Sequence, residues 1–326
     1  MIRPNAIRHF AAPNSLPRRL LALASLAVAT VVSLPAMAGA REAQGDRTGD
    51  YARSASDRIG VKVSLVTLPV SRDGKTWATA GELRVPTGSA PQTAQKRWPA
   101  VVIVHGSGGI DSRGDWYAQR LNQAGFATLE IDLWAARGIT GPETRPKLPT
   151  ETLPDAFAAL AYLSARSDID PRRIGLMGFS WGGVVTMLSA TAPVQAALGG
   201  ADRAFAAFAP FYPVCWAYNR VPGLEFHDLT GKPVLIQAGA EDRYDDPDSC
   251  AKLVESLPDA ARAVVSGITY PGATHAWDRR EPDAVFNDPF AFKGKGGPTP
   301  FTYNRDVTRR STAAVVAFFR KTLAVQ

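Results

Sequence analysis

Hydrophobic and polar positions change their pattern several times along the chain. Residues 20–34 are uncharged and mostly apolar, and residues 41–58 are polar. Residues 61–70 and 76–85 are rich in β-branched side chains, and the Ser71-Arg72-Asp73-Gly74 stretch between them predicts a hairpin. After a polar stretch at 86–97 the rhythm changes. Apolar runs at 99–104, 126–131 and 173–177 predict strands, and they alternate with helical patterns at 116–124, 154–164 and 181–190. Later strands are expected at 204–208, 233–237 and 264–270. A last amphipathic helix is expected over 306–324, with Val307, Ala314, Val315, Phe318 and Phe319 near helical spacing. Strands that are apolar throughout and alternate with helices imply a mostly parallel sheet covered on both faces, here preceded by an antiparallel hairpin. The expected class is α/β, with one domain over residues 59–326 that is long enough for an ample core.

The strand at 173–177 leads into Gly178-Phe179-Ser180-Trp181-Gly182, and a helix follows. A G-x-S-x-G between strand and helix is the nucleophile elbow of the α/β-hydrolase fold. The serine is pushed out on a sharp turn, and the glycines make room where strand and helix cross. The pentapeptide alone is a weak signal; its position between strand and helix makes it specific.

A serine hydroxyl needs a base to take its proton. Only His105, His227 and His275 lie beyond residue 40. His105 directly follows an apolar strand and opens His105-Gly106-Ser107-Gly108-Gly109, which suits backbone shaping of an oxyanion hole. His227 reads as a solvated loop residue. His275, in a loop after the strand at 264–270, is the expected base. The acid in this fold falls between nucleophile and histidine, at a strand's carboxyl end. The cluster Gly239-Ala240-Glu241-Asp242-Arg243-Tyr244-Asp245-Asp246 fits, with Asp242 the best placed and Asp245 next; Glu241, Asp245 and Asp246 otherwise read as solvated or turn-forming. Oxyanion donors are expected from the Trp181 backbone N–H and from Ser107 or Gly108.

Charge and cysteines add a location. Arg3, Arg8, Arg18 and Arg19 precede the apolar run, and Ala36-Met37-Ala38 and Ala38-Gly39-Ala40 follow it. That order predicts a secretory signal peptide over 1–40, cleaved after Ala38 or Ala40, and a loose arm over 41–58. The apolar run is shorter than the roughly 20 residues needed to span a bilayer, so no stable membrane insertion is expected after cleavage. Removing four arginines lowers the formal charge from +7 to +3, and no basic stripe remains that would suit nucleic acid. A periplasmic or secreted protein follows. In an oxidising compartment the two cysteines, Cys215 and Cys250, predict a disulfide, with two buried thiols as the alternative. No Cys/His cluster has metal-ligand spacing, and no cofactor is expected.

Together these residues resemble the dienelactone hydrolase family, and more closely its exported branch. The resemblance runs from about Pro99 to the C-terminus. It rests on the segments ending in His105–Gly109, on Gly178–Gly183, on Phe211-Tyr212-Pro213-Val214-Cys215, on Gly239–Asp242 and on Tyr270–Asp278. It implies Ser180, Asp242 and His275 as a triad. It also implies arginines that hold a substrate carboxylate, for which Arg137 (offset by one residue) and Arg279 are the matching positions. The name-giving enzymes carry a cysteine nucleophile and a glutamate in the first loop, whereas this chain has Ser180 and no glutamate between 105 and 109.

The expected activity is hydrolysis of a small-molecule carboxylic ester or lactone through an acyl-enzyme. A peptidase or acyl-peptide hydrolase with the same triad, and a non-catalytic binding protein on the same fold, are the alternatives. Segments 134–148 and 278–303, together with Trp277, Phe286, Phe290 and Phe292, are expected to line or cover the pocket.

Overall fold

The computed structural model describes residues 60–87, 97–200 and 202–323. The expected signal peptide and polar arm lie outside these residues.

Strands β1 (Val61–Arg72) and β2 (Lys75–Pro86) form the antiparallel hairpin. Its turn is possible because Asp73 and Gly74 both take positive φ, at 50° and 74°, as a two-residue hairpin loop requires. The sheet continues through β3 (Trp98–Val104), β4 (Ala127–Asp132), β5 (Ile169–Phe179), β6 (Ala207–Phe211), β7 (Val234–Gly239) and β8 (Val265–Tyr270). Its spatial order is β1-β2-β4-β3-β5-β6-β7-β8, antiparallel up to the β2–β4 pair and parallel beyond it. This is the α/β-hydrolase arrangement.

Why the central strands are apolar at every position is visible in β3. Ala100, Val102 and Val104 belong to one core cluster, and Val101 and Ile103 to the other. Helices α1 (Ser112–Gln123) and α6 (Arg305–Leu323) cover the second face with Trp116, Tyr117 and Phe319. Helices α2 (Leu153–Ser164) and α3 (Trp181–Ser189) cover the first with Leu160, Val185 and Leu188. Two shorter helices, α4 (Ala192–Leu198) and α5 (Ser249–Glu255), complete the shell. Among the described residues no helix is long and apolar enough to cross a membrane.

Several expected boundaries move. Helix α1 begins at Ser112 rather than 116, because the Asp111 side chain accepts from the Arg113 N–H and caps an earlier first turn. Strand β6 spans 207–211 rather than 204–208. Segment 278–303, for which no strand is expected, contains a hairpin of β9 (Ala284–Asp288) and β10 (Gly297–Phe301).

Candidate active site

The turn after β5 is tight in the manner the glycines require. A Cβ at Gly178 would lie 2.3 Å from the Gly182 carbonyl oxygen, and one at Gly182 only 2.2 Å from that of Val104. Between them Ser180 stands at φ 51°, ψ −107°, a strained backbone for a residue with a side chain. The neighbours that hold it there are on both adjacent strands. Ser180 N–H donates to the Phe211 carbonyl at the end of β6, and Gly182 N–H to that of His105 just past β3.

Three side chains meet at the carboxyl ends of β5, β7 and β8. Ser180 Oγ lies 2.8 Å from His275 Nε2, and His275 Nδ1 lies 2.7 Å from Asp242 Oδ2. The remaining oxygen of Asp242 accepts from the Tyr244 N–H at 2.9 Å. Those partners assign the proton to Nδ1, leaving Nε2 to accept from the serine. Asp242 and His275 are buried and Ser180 is half-buried, so the hydroxyl is the member that reaches solvent.

His105 is not a second base here. It is buried, with Nδ1 against the Gly106 carbonyl at 2.7 Å and Nε2 accepting from the Leu133 N–H at 2.9 Å. Both ring nitrogens hold backbone, and the loop that follows is shaped by them. Trp134 adds a further tie by donating to the Ser107 carbonyl at 3.0 Å. Ser107 and Gly108 border the cavity in front of Ser180. Trp181 is the first residue of α3, so its N–H has no acceptor within the helix. His227 is exposed.

Asp245 does not compete for His275. Its carboxylate accepts from the Cys215 and Trp216 N–H groups, at 2.6 and 2.8 Å, and secures the short 3₁₀ turn at Cys215–Ala217. Burial, and then the nearby Asp242 charge, push its carboxyl up to about 7, and it is turn-forming and only partly exposed. Asp246 is exposed and pairs with Lys293. Cys215 and Cys250 are joined as a disulfide. With Asp245 they form a group of potential metal donors, but bonded sulfurs offer no thiolate.

A cavity of about 450 Å³ opens over Ser180 and His275. Apolar lining comes from Ile110, Phe286 and Phe301, cations from Arg113, Arg145 and Arg279, and carboxylates from Asp111, Glu143, Glu281 and Asp288. Of the two arginines expected to hold a carboxylate only Arg279 is there, and of the aromatic residues expected at the pocket only Phe286 is, with Pro142, Glu143 and Arg145 from segment 134–148. Arg137 turns the other way: it pairs with buried Asp155 at 2.6 Å and lies 4.3 Å over the Trp77 ring. Trp277 is fully buried, packed on Tyr212 at 4.7 Å and Tyr270 at 5.5 Å, and is a core residue. Phe292 borders a separate cavity of about 310 Å³ behind Asp242. The arginine that sequence reasoning passed over is Arg145. Its guanidinium lies between the Trp181 and Phe290 rings, at 5.3 and 5.2 Å. Nothing in its surroundings, Pro142 to Lys147, marks it out except its place in a segment expected to line the pocket.

Beneath the cavity floor runs a buried polar chain. Arg113 is held by Asp111 and donates to the Tyr212 hydroxyl at 2.9 Å. That hydroxyl donates to Asp278 at 2.6 Å, as does the Tyr117 hydroxyl at 2.9 Å. Burial raises the Asp278 carboxyl despite the facing Arg113. The chain fixes the Tyr212 ring against the His275 imidazole at 4.8 Å.

Comparison with known proteins gives the family and the fold. The family model of the dienelactone hydrolase family matches residues 87–323. A probable 2-oxo-3-(5-oxofuran-2-ylidene)propanoate lactonase from Bradyrhizobium is 25% identical over 240 residues, covering 68% of this chain and 89% of the relative. A bis(hydroxyethyl) terephthalate hydrolase from Streptomyces coelicolor is 30% identical over 181 residues, covering 53% of this chain and 54% of its own length. Among solved structures, an esterase from Pyrobaculum calidifontis superposes with a TM-score of 0.56 at 16% identity, covering 87% of this chain and 90% of that one. A dienelactone hydrolase-like promiscuous phosphotriesterase from metagenomic libraries superposes with a TM-score of 0.53 at 21% identity, covering 81% and 99%. At these identities the superpositions speak for the fold.

Proposed function

The chain belongs to the dienelactone hydrolase family and is a carboxylic ester hydrolase, and on that premise we propose that it works by covalent catalysis through Ser180. The observation that carries this reading is the continuous relay from Ser180 Oγ through His275 to Asp242, with links of 2.8 and 2.7 Å. In the first step the hydroxyl attacks the ester carbonyl while Nε2 takes its proton, and Asp242 stabilises the imidazolium that forms. The carbonyl oxygen becomes an oxyanion, accepted by the Trp181 N–H and by that of Ser107 or Gly108. Collapse expels the alkoxide, which leaves as alcohol with the proton from Nε2. Water then gives a proton to Nε2 and attacks the acyl-enzyme, releasing the acid and restoring Ser180.

The cavity wall carries carboxylates (Asp111, Glu143, Glu281 and Asp288) as well as arginines, so it suits an ester or lactone whose acyl part is planar and carries an anionic or strongly polar group placed to reach Arg145. Phe286, Phe301 and Tyr244 offer ring faces, and Arg145 and Arg279 offer cations at the cavity wall. The two relatives described above are named for a furanylidene lactone and a terephthalate ester, both planar and conjugated. An exported location is supported by the basic, apolar and small-residue order of residues 1–40 and by the Cys215–Cys250 bond.

A fluorophosphonate probe tests the central claim. Purified wild type is expected to be labelled at one serine, and Ser180→Ala to fold but remain unlabelled; a folded wild type that resists labelling would sink the reading.

A further inference from the structure

The His275 imidazole is enclosed by three rings: Tyr244 at 4.3 Å, Tyr212 at 4.8 Å and Phe301 at 5.2 Å between centroids. Tyr212 is anchored in the core by Arg113 and Asp278. The other two rings are tied to the β9–β10 hairpin. Phe301 is the last residue of β10 and packs on Phe286 of β9 at 4.9 Å. The Tyr244 hydroxyl donates to Asp288 Oδ2, at the end of β9, at 2.7 Å.

The hairpin is stitched to both loops that carry the relay. On the acid side, besides the Tyr244–Asp288 bond, the Phe292 N–H donates to the Arg243 carbonyl at 2.7 Å. On the histidine side, the Thr302 N–H donates to Thr274 Oγ1 at 3.0 Å, one residue before His275. Tyr244 is the point where these ties converge. Its backbone N–H holds Asp242, its ring lies on His275 and its hydroxyl holds the hairpin. A hydroxyl donating to a carboxylate forms a short, charge-assisted bond, stronger than one between neutral groups. Burial, and then Asp288, keep the phenol raised far above its ordinary range, so it remains a donor.

We propose that the β9–β10 hairpin is a buckle across the Asp242 and His275 loops, and that the Tyr244–Asp288 hydrogen bond is its clasp. This makes Tyr244 and Asp288 positioning residues for the hydrolysis. The inference rests on the Ser180–His275–Asp242 reading and deepens it. Tyr244→Phe removes one oxygen while leaving the ring on His275 and the main-chain bond to Asp242. What it releases is the clasp alone, since the Phe292–Arg243 and Thr302–Thr274 bonds remain.

The test is steady-state hydrolysis of p-nitrophenyl acetate, an ester too small to need the hairpin as a pocket wall, by wild type, Tyr244→Phe, Asp288→Ala and the double variant. Loosened alignment is expected to lower kcat about tenfold in each single variant with KM within about twofold. The double variant is expected to be no slower than the slower single one, since both remove the same bond. The low-field proton resonance of His275 Nδ1 gives a second readout, and it is expected to shift or broaden in Tyr244→Phe even if Asp288→Ala does not fold. An unchanged kcat and an unchanged resonance in Tyr244→Phe would overturn the proposal, as would additive losses in the double variant. Phosphonate labelling separates the two readings. An unlabelled wild type removes relay and buckle together, whereas a labelled wild type with a fully active Tyr244→Phe removes the buckle alone.

Discussion

Arg137 donates to both carboxylate oxygens of Asp155, at 2.9 and 2.6 Å, and so fixes its guanidinium inside the protein rather than at the cavity. Asp155 is fully buried on α2, and its other donors are the Trp77 indole at 3.0 Å and the Thr79 hydroxyl. Removing the arginine leaves a buried carboxylate short of its counter-charge, which costs about 3 kcal/mol or more. Arg137→Ala is therefore expected to lower the melting temperature by about 6–10 °C with KM almost unchanged. Arg145→Ala is expected to do the reverse: near-native melting, and a KM raised about tenfold for an ester of an anionic acid but not for a neutral one. Matching KM effects in the two variants would contradict the assignment.

Glu130 predicts a pH dependence of stability. Its carboxyl sits against the backbone of α1, where a Cβ on Gly114 would fall 1.8 Å from Oε1. Burial, and then the charge of Asp111, raise it from 4.5 to about 8. Between those values the folded chain keeps a proton that the unfolded chain has lost. Stability from this group is thus fully present below about pH 4.5, falls as pH rises through the window, and levels off above about pH 8. Glu130→Gln removes this slope. Relative to wild type it should gain about 1–3 kcal/mol in denaturant melts between pH 5 and pH 8.5; parallel pH profiles would refute the claim.

The Cys215–Cys250 bond closes a loop with a sequence separation of 35 and contains Asp242 within it. Constraining the unfolded chain over that length contributes about 3–4 kcal/mol. A Cys215→Ala/Cys250→Ala variant is expected to lose that stability. Its kcat should stay within a few-fold of wild type, because Asp245 still holds the Cys215–Ala217 turn from the other side. Dithiothreitol should lower the guanidinium midpoint of wild type and leave that of the variant unmoved. An equal dithiothreitol effect on both would count against it.

Much of this was legible in the chain, for reasons particular residues make plain. Residues 99–104 are apolar at every position because both faces of β3 are covered, so periodicity marks them whatever their neighbours. The Gly178–Gly182 elbow is legible because backbone crowding leaves no alternative to glycine at its ends. Strand β6 was misplaced by three residues because residues 204–211 are apolar almost throughout and Pro210 argues against a central strand. Pairing with Gly175–Phe179 of β5 decides the register, and that is a long-range fact. Hairpin β9–β10 was hidden by Pro298 and Pro300 in a short, half-exposed strand. Trp277 follows His275 by two residues, yet Ala276 takes φ 54° between them, and one side chain faces Ser180 while the other enters the core. The Tyr244–Asp288 bond joins positions 44 residues apart, with no local trace in either segment.

The relay joins Ser180 to His275 across 95 residues and His275 to Asp242 across 33. Synthesis therefore delivers the nucleophile first, the acid second and the base last. A ribosome that has reached α5 has made the elbow, the His105–Gly109 loop and Asp242, but not His275, the proposed base. Only when the strand at Val265–Tyr270 has docked at the far edge of the sheet does the loop beyond it bring the imidazole into place. On the proposed mechanism every nascent or truncated form shorter than that is expected to be chemically silent, and onset of esterase activity becomes a clock for completion of the fold.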